Sequence, residues 1–210
     1  MCGLLSSLLY GYDYANNEFI WTKQSMEDTH FFGLFESCDK LISAENLILP
    51  QELVRECYVA MFSGCTSLTV APELPATILA DGCYCRMFSG CTSLATAPEL
   101  PATTLAIYCY SEMFSDCTLL TAAPTLPAIT LVQYCYNHMF YSCSKLNYIK
   151  AMFTTTQLED SEVEGEYIYT GQWLENVAST GTFVKNSAAI WNVTGISGIP
   201  TGWTVETANS

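Results

Sequence analysis

Residues 61–86 read "MFSGCTSLTVAPELPATILADGCYCR", and residues 87–112 read "MFSGCTSLATAPELPATTLAIYCYSE". The two stretches differ only at 69–70, 78, 81–82 and 85–86 and at the counterparts of those positions 26 residues on. A looser version fills 113–138, and Met61, Met87, Met113 and Met139 mark the period. With a one-residue insertion the register extends backwards. "LFESCDKLISAENLILPQELVRECY" places Phe35, Cys38, Leu41 and Leu47 under Phe62, Cys65, Leu68 and Leu74. It extends forwards through "MFYSCSKLNYIK", residues 139–150. A unit this short cannot bury its own apolar face, so it stacks on its neighbours, and the ends of such a stack need atypical caps.

Each unit divides by its local chemistry. "CTSLTVAP" is short, carries Thr and Val, and is stopped by Pro72, which predicts a brief strand. In "ATTLAIYCYSEMFSDC" the four-residue spacing of Leu105, Cys109 and Met113 predicts a short helix or a 3₁₀ turn. "PELPA" is a bend, because proline fixes φ and removes donors. One strand and one helical turn per unit is a leucine-rich-repeat pattern. The expected fold class is therefore α/β, a leucine-rich-repeat solenoid of about six coils with caps at both ends.

Four segments follow. Residues 1–29 match nothing in the repeat and read as an N-terminal cap or the remnant of a preceding segment, and 30–153 are the array. Residues 154–172 break the register with the acidic run "LEDSEVEGE". Residues 173–210 read as a degenerate last coil and a C-terminal cap. In that coil Trp173, Val177, Thr180 and Phe183 are laid under Tyr58, Phe62, Cys65 and Leu68.

Composition excludes whole classes of partner. Of 210 residues 50% are hydrophobic and 13% charged, and the formal net charge is −14. Only seven Lys and Arg are present, scattered along the chain, whereas binding phosphates needs them clustered. Nucleic acid and anionic membrane surfaces are excluded as partners on that ground. No apolar run reaches the length of a membrane helix, so no membrane insertion is expected within this chain. The start, "MCGLLSSLLYGYDY", lacks a basic n-region and a small-residue cleavage site, so a signal peptide is not expected there.

The register sorts the eleven cysteines. Cys38, Cys65, Cys91, Cys117 and Cys143 form one column, Cys57, Cys83, Cys109 and Cys135 another, and Cys2 and Cys85 are left over. Three readings compete: buried thiols acting as small hydrophobes, disulfides between stacked neighbours, and zinc, suggested by "CYC" at 83–85. An odd column and an odd total argue against complete pairing, and stacked columns do not converge as a tetrahedron. Core thiols are the expectation, beside the Phe column Phe62, Phe88, Phe114 and Phe140 and the Tyr column Tyr58, Tyr84, Tyr110 and Tyr136. Outside a cell such thiols persist only where oxygen is low.

Other chemistry is sparse. "DSEVEG" spaces Asp160, Glu162 and Glu164 like an EF-hand start with Gly165 at the sixth place, but Gly171 stands where a bidentate Glu belongs. A solvated acidic loop is expected instead. The two histidines, His30 and His138, have no catalytic pattern around them, and no phosphate-binding loop, dinucleotide fingerprint or HExxH is present. Asn192 opens a lone "NVT" sequon. No catalytic residue, metal ligand or cofactor is expected, and the chain reads as a non-enzyme.

The "CYxxMFSGCTSLxxAPxLPATxLA" units, together with the ending "GTFVKN…GIPTGWTV", resemble the BspA-like leucine-rich-repeat family of bacterial surface proteins. The likeness covers roughly residues 30–150 and 173–205. It implies a solenoid displayed at the cell surface or outside the cell, used in adhesion or protein recognition, with no catalytic residues. With no export signal in view, it also implies a piece of a longer exported protein. Positions that drift between units should face solvent, since packing holds the others. The drifting pair beside the strand gives a candidate binding face of Thr69, Val70, Ala95, Thr96, Thr121, Ala122, Asn147 and Tyr148. The expected partner is a protein or a glycan. The alternative is a structural spacer or stalk with no ligand of its own.

Overall fold

A computed structural model describes residues 31–154 and 168–208, together with the backbone of two small strand pairs. These are β1 (Tyr12–Asp13) with β2 (Glu18–Phe19), and β4 (Glu162–Val163) with β5 (Glu166–Tyr167), both antiparallel. The N-terminal cap expected over 1–29 and the side chains of the acidic run otherwise lie outside the described residues.

Each repeat unit packs on the next through a regular backbone pattern. The N–H groups of Tyr58, Ala60, Phe62 and Gly64 donate to the carbonyls of Cys83, Cys85, Met87 and Ser89, at 3.0, 2.9, 2.9 and 2.7 Å. The intervening residues close tight turns within the unit: Met61 donates to Tyr58, Ser63 to Ala60 and Cys65 to Phe62. The same alternation recurs at 82–91, 108–117 and 134–143.

This alternation is why the predicted short helix or 3₁₀ turn is not found among the described residues. A helix turns every donor back into its own segment, whereas here every second donor goes to the neighbouring unit. The chain achieves this by entering the left-handed region at every fourth residue. Gly82, Arg86 and Gly90 have φ of 60°, 57° and 73°, and Tyr108, Glu112 and Asp116 have 56°, 55° and 60°. A non-glycine residue there costs about 1 kcal/mol, which an inter-unit hydrogen bond worth about 0.5–1.5 kcal/mol offsets. The third such position in each unit holds Ser37, Gly64, Gly90, Asp116, Ser142 and Asn176, mostly residue types that tolerate this conformation.

Strands are also rarer than predicted. Before β3 the described units contribute only single bridges, among them Ser43 to Val70 and Ala122 to Tyr148, and the first longer strand is β3 itself (Tyr148–Ala151). Proline explains the difference. "APELP" follows the bridge position in the second and third units and cannot donate to a ladder at Pro72 or Pro75. In β3 the corresponding stretch reads "YIKAMF" and pairs freely. It runs parallel to β6 (Thr182–Asn186), which runs parallel to β7 (Thr204–Ala208). At Gly181 a Cβ would come within 2.4 Å of the Asn147 carbonyl, so only glycine allows β6 to enter this close to β3.

The last unit sits three residues out of the phase expected for it. Phe140 donates to the Trp173 carbonyl as Phe114 does to that of Met139, which puts Trp173 in the Met column. Leu174 then takes the Phe position, Val177 the Cys position and Thr170 the Tyr position, while Thr180 is exposed and Phe183 pairs with Ile149. Left-handed Gln172 and Asn176, aligned with His138 and Ser142, set this phase. The stack also resumes before Trp173, because Tyr136 donates to Tyr169 and His138 to Gly171. Residues 168–172 therefore belong to the stack and not to the linker.

The core is a set of columns. Phe35, Phe62, Phe88, Phe114 and Phe140 stack at 5.3, 5.6, 5.7 and 5.6 Å between ring centroids. Phe31, Tyr58, Tyr84, Tyr110 and Tyr136 form a second column at 5.6–6.1 Å. Trp173 and Trp191 close the core, with their indole N–H groups donating to the carbonyls of Gly198 and Phe153.

Candidate recognition faces

All eight drifting residues beside the bridge positions are exposed: Thr69, Val70, Ala95, Thr96, Thr121, Ala122, Asn147 and Tyr148. The residues just before them, Leu68, Leu94, Leu120 and Leu146, are wholly buried. The row is held by contacts between units. Thr69 donates through its N–H and its Oγ1 to the Ile42 carbonyl, at 2.8 and 3.0 Å, and Asn147 N–H donates to Thr121 at 2.9 Å. Thr182 and then Thr204 continue it into β6 and β7. The result is a strip of small hydroxyl and methyl groups with two larger apolar members, Val70 and Tyr148. It carries no charge of its own.

The other two drifting sets lie on the turn side and are mixed. Arg86 makes a bidentate pair with Glu112, Nε to Oε2 at 2.9 Å and Nη2 to Oε1 at 2.7 Å. His138, one unit on, bonds to Asn137 and Gln172. Exposed Tyr108 stacks on Tyr134 at 4.6 Å. The expectation of solvent exposure fails at Gly82 and Ser111, which are buried because the neighbouring units close over the turn. Cys85 is half-buried, and burial pushes its thiol up to about 11, with the Glu112 carboxylate adding to the effect and Arg86 opposing it.

No disulfide joins the ten described cysteines, and one column has a definite job. Cys65, Cys91, Cys117 and Cys143 donate through Sγ to the carbonyls of Phe35, Phe62, Phe88 and Phe114 in the preceding unit, at 3.0, 3.2, 3.2 and 3.0 Å. A thiol is small and apolar enough for the core yet still a weak donor. Cys83, Cys109 and Cys135 are wholly buried without such a bond. Burial, then the Cys65 thiol, pushes Cys91 up to about 12, and burial pushes Cys135 and Cys143 to about 12. The Tyr column is equally buried, and nothing in the structure explains the buried, unpartnered hydroxyl of Tyr84.

Among the described residues no three His, Cys, Asp or Glu side chains converge as a metal site. No helix among them is long and apolar enough to cross a membrane. His30, Cys2 and the calcium-like spacing at Asp160, Glu162 and Glu164 fall on residues whose side chains lie outside the described set. Asn192 of the sequon is exposed, with its Oδ1 accepting from Lys185 Nζ at 3.3 Å.

A further feature had a sequence signal that composition and motif reading passed over. The successive "PELP" bends at 72–75 and 98–101 lie side by side and leave a groove along the corner of the stack. The chain matches no protein-family profile, no curated protein and no solved structure.

Proposed function

We propose that the chain is a solenoid of the leucine-rich-repeat kind, displayed at a cell surface or outside the cell, that recognises a protein or a glycan without catalysing a reaction. The strand-side strip is its recognition face. One observation carries this reading: the pair that changes beside each bridge position forms one continuous exposed row, while the repeated Leu68, Leu94, Leu120 and Leu146 just before it are wholly buried. Packing holds the buried columns, so the row is where the sequence is free to encode a ligand. The likeness of the units to BspA-like surface proteins supports the same conclusion.

The smallness of the side chains in the row favours a second reading, a spacer that holds another domain at a distance. One experiment separates the two. The full chain is offered to a glycan array and to a panel of purified surface proteins, beside the variant T69Q/T96Q/A122Q, which lengthens the row without adding charge. A ligand held by the parent and lost by the variant supports recognition. No ligand, or binding that the variant leaves intact, assigns the spacer role.

A further inference from the structure

The corner formed by the bends of the first three units carries a second surface of different chemistry. Two adjoining depressions, about 410 and 310 Å³, share Glu73 and Pro75 and run from Glu45 to Pro101 across the first three units. Their walls are leucine, isoleucine and proline. Glu45, Glu73 and Glu99 stand on them, exposed and with no ion pair among the described residues. No Lys or Arg lines either depression.

The backbone there is acceptor-rich. Each "PELP" presents four carbonyls against two N–H groups, because proline has none to give. Residues 71–76 and 97–102 make no backbone hydrogen bond. The open stretch has a definite end. In the fourth unit Thr125 stands where glutamate did, and Leu126 is closed against β3. It donates to Lys150 and accepts from Met152, both at 2.9 Å. Carboxylates and free carbonyls thus occur together in the second and third units and disappear together in the fourth.

We propose that this groove binds an extended, lysine- or arginine-bearing segment of a partner protein. Its N–H groups meet the free carbonyls, its apolar stems lie on proline and leucine, and its cationic heads meet the row of glutamates. Glu73 and Glu99 recur at the unit rise, marked by the 5.3–5.7 Å spacing of the Phe column, and Glu45 stands one place off that register, beside Asn46, on the same groove. Side chains on one face of an extended chain recur at about 6.6–6.8 Å. An alternating basic peptide therefore keeps pace with neighbouring carboxylates over this short site.

The test measures fluorescence anisotropy of a labelled alternating Lys-Thr peptide against the full chain, with an alternating Glu-Thr peptide as a blank. E45Q/E73Q/E99Q should weaken binding about tenfold, the sum of three partly screened ion pairs. A charge-matched variant, E36Q/E175Q/E206Q, should stay within about twofold, because its carboxylates lie outside the groove. Circular dichroism confirms that both are folded. Equal losses in the two variants would reduce the effect to net charge and overturn the proposal, as would no binding by the parent chain. T69Q/T96Q/A122Q should leave peptide binding unchanged, so failure on the strand face and failure in the groove are told apart.

Discussion

Raising the pH should unfold this protein well before ordinary alkaline denaturation, and the buried thiols set the magnitude. An unfolded cysteine titrates near 9.0, while burial pushes Cys57, Cys91, Cys135 and Cys143 up to about 12 and holds Cys83, Cys109 and Cys117 higher than their ordinary value as well. Above pH 9 the unfolded chain therefore binds fewer protons than the native one, so stability falls as pH rises. The contribution is whole below pH 9 and is lost progressively towards pH 12. At pH 10 each such thiol removes about 1.4 kcal/mol. Seven together approach ~10 kcal/mol, comparable with the ~5–15 kcal/mol that holds a whole domain. The assay is urea unfolding at pH 7.5, 9 and 10 in reductant, followed by the fluorescence of the buried Trp173, Trp191 and Trp203. The double variant C91A/C117A separates the thiols from other titrating groups and should lose stability less steeply with pH. A stability unchanged between pH 7.5 and 10, or the same pH slope in the variant, would refute the reasoning.

Two further outcomes follow from the columns and the turns. Phe88 is wholly buried between Phe62 and Phe114, so Phe88→Ala should cost about 3–5 kcal/mol in chemical denaturation. A Cβ at Gly90 would meet only ordinary contacts, the Gly64 Cα and N at 3.6 Å, but its φ is +73°. Gly90→Ala should therefore cost about 1 kcal/mol through backbone strain alone, and Gly90→Asp distinctly less, as Asp116 already occupies the equivalent place; equal losses in a thermal melt would contradict this.

The groove and the strand strip differ in how each was visible. The strip was legible because drift between units marks positions that packing does not hold. The acidic corner was equally present in "APELP", but as a bend it pointed to local geometry. Its free carbonyls and unpaired glutamates became a surface only once neighbouring bends were set side by side.

By itself the sequence determined the membership of the columns. When units stack in register, each core residue meets its own counterpart, so Phe62 on Phe88 and Cys65 beside Cys91 follow from the period alone. Tertiary structure decided the backbone path and the phase of the last unit. The hydrogen bonds that replace a helix reach a carbonyl in the next unit, and the left-handed turns fall on Arg86, Tyr108, Glu112 and Tyr134, residues with no local preference for them. Trp173 resembled an aromatic column member by its type, yet the turns at Gln172 and Asn176 placed it in the Met column. Side-chain type tells which residues are buried, but hydrogen-bond partners distant in sequence tell where the backbone puts them.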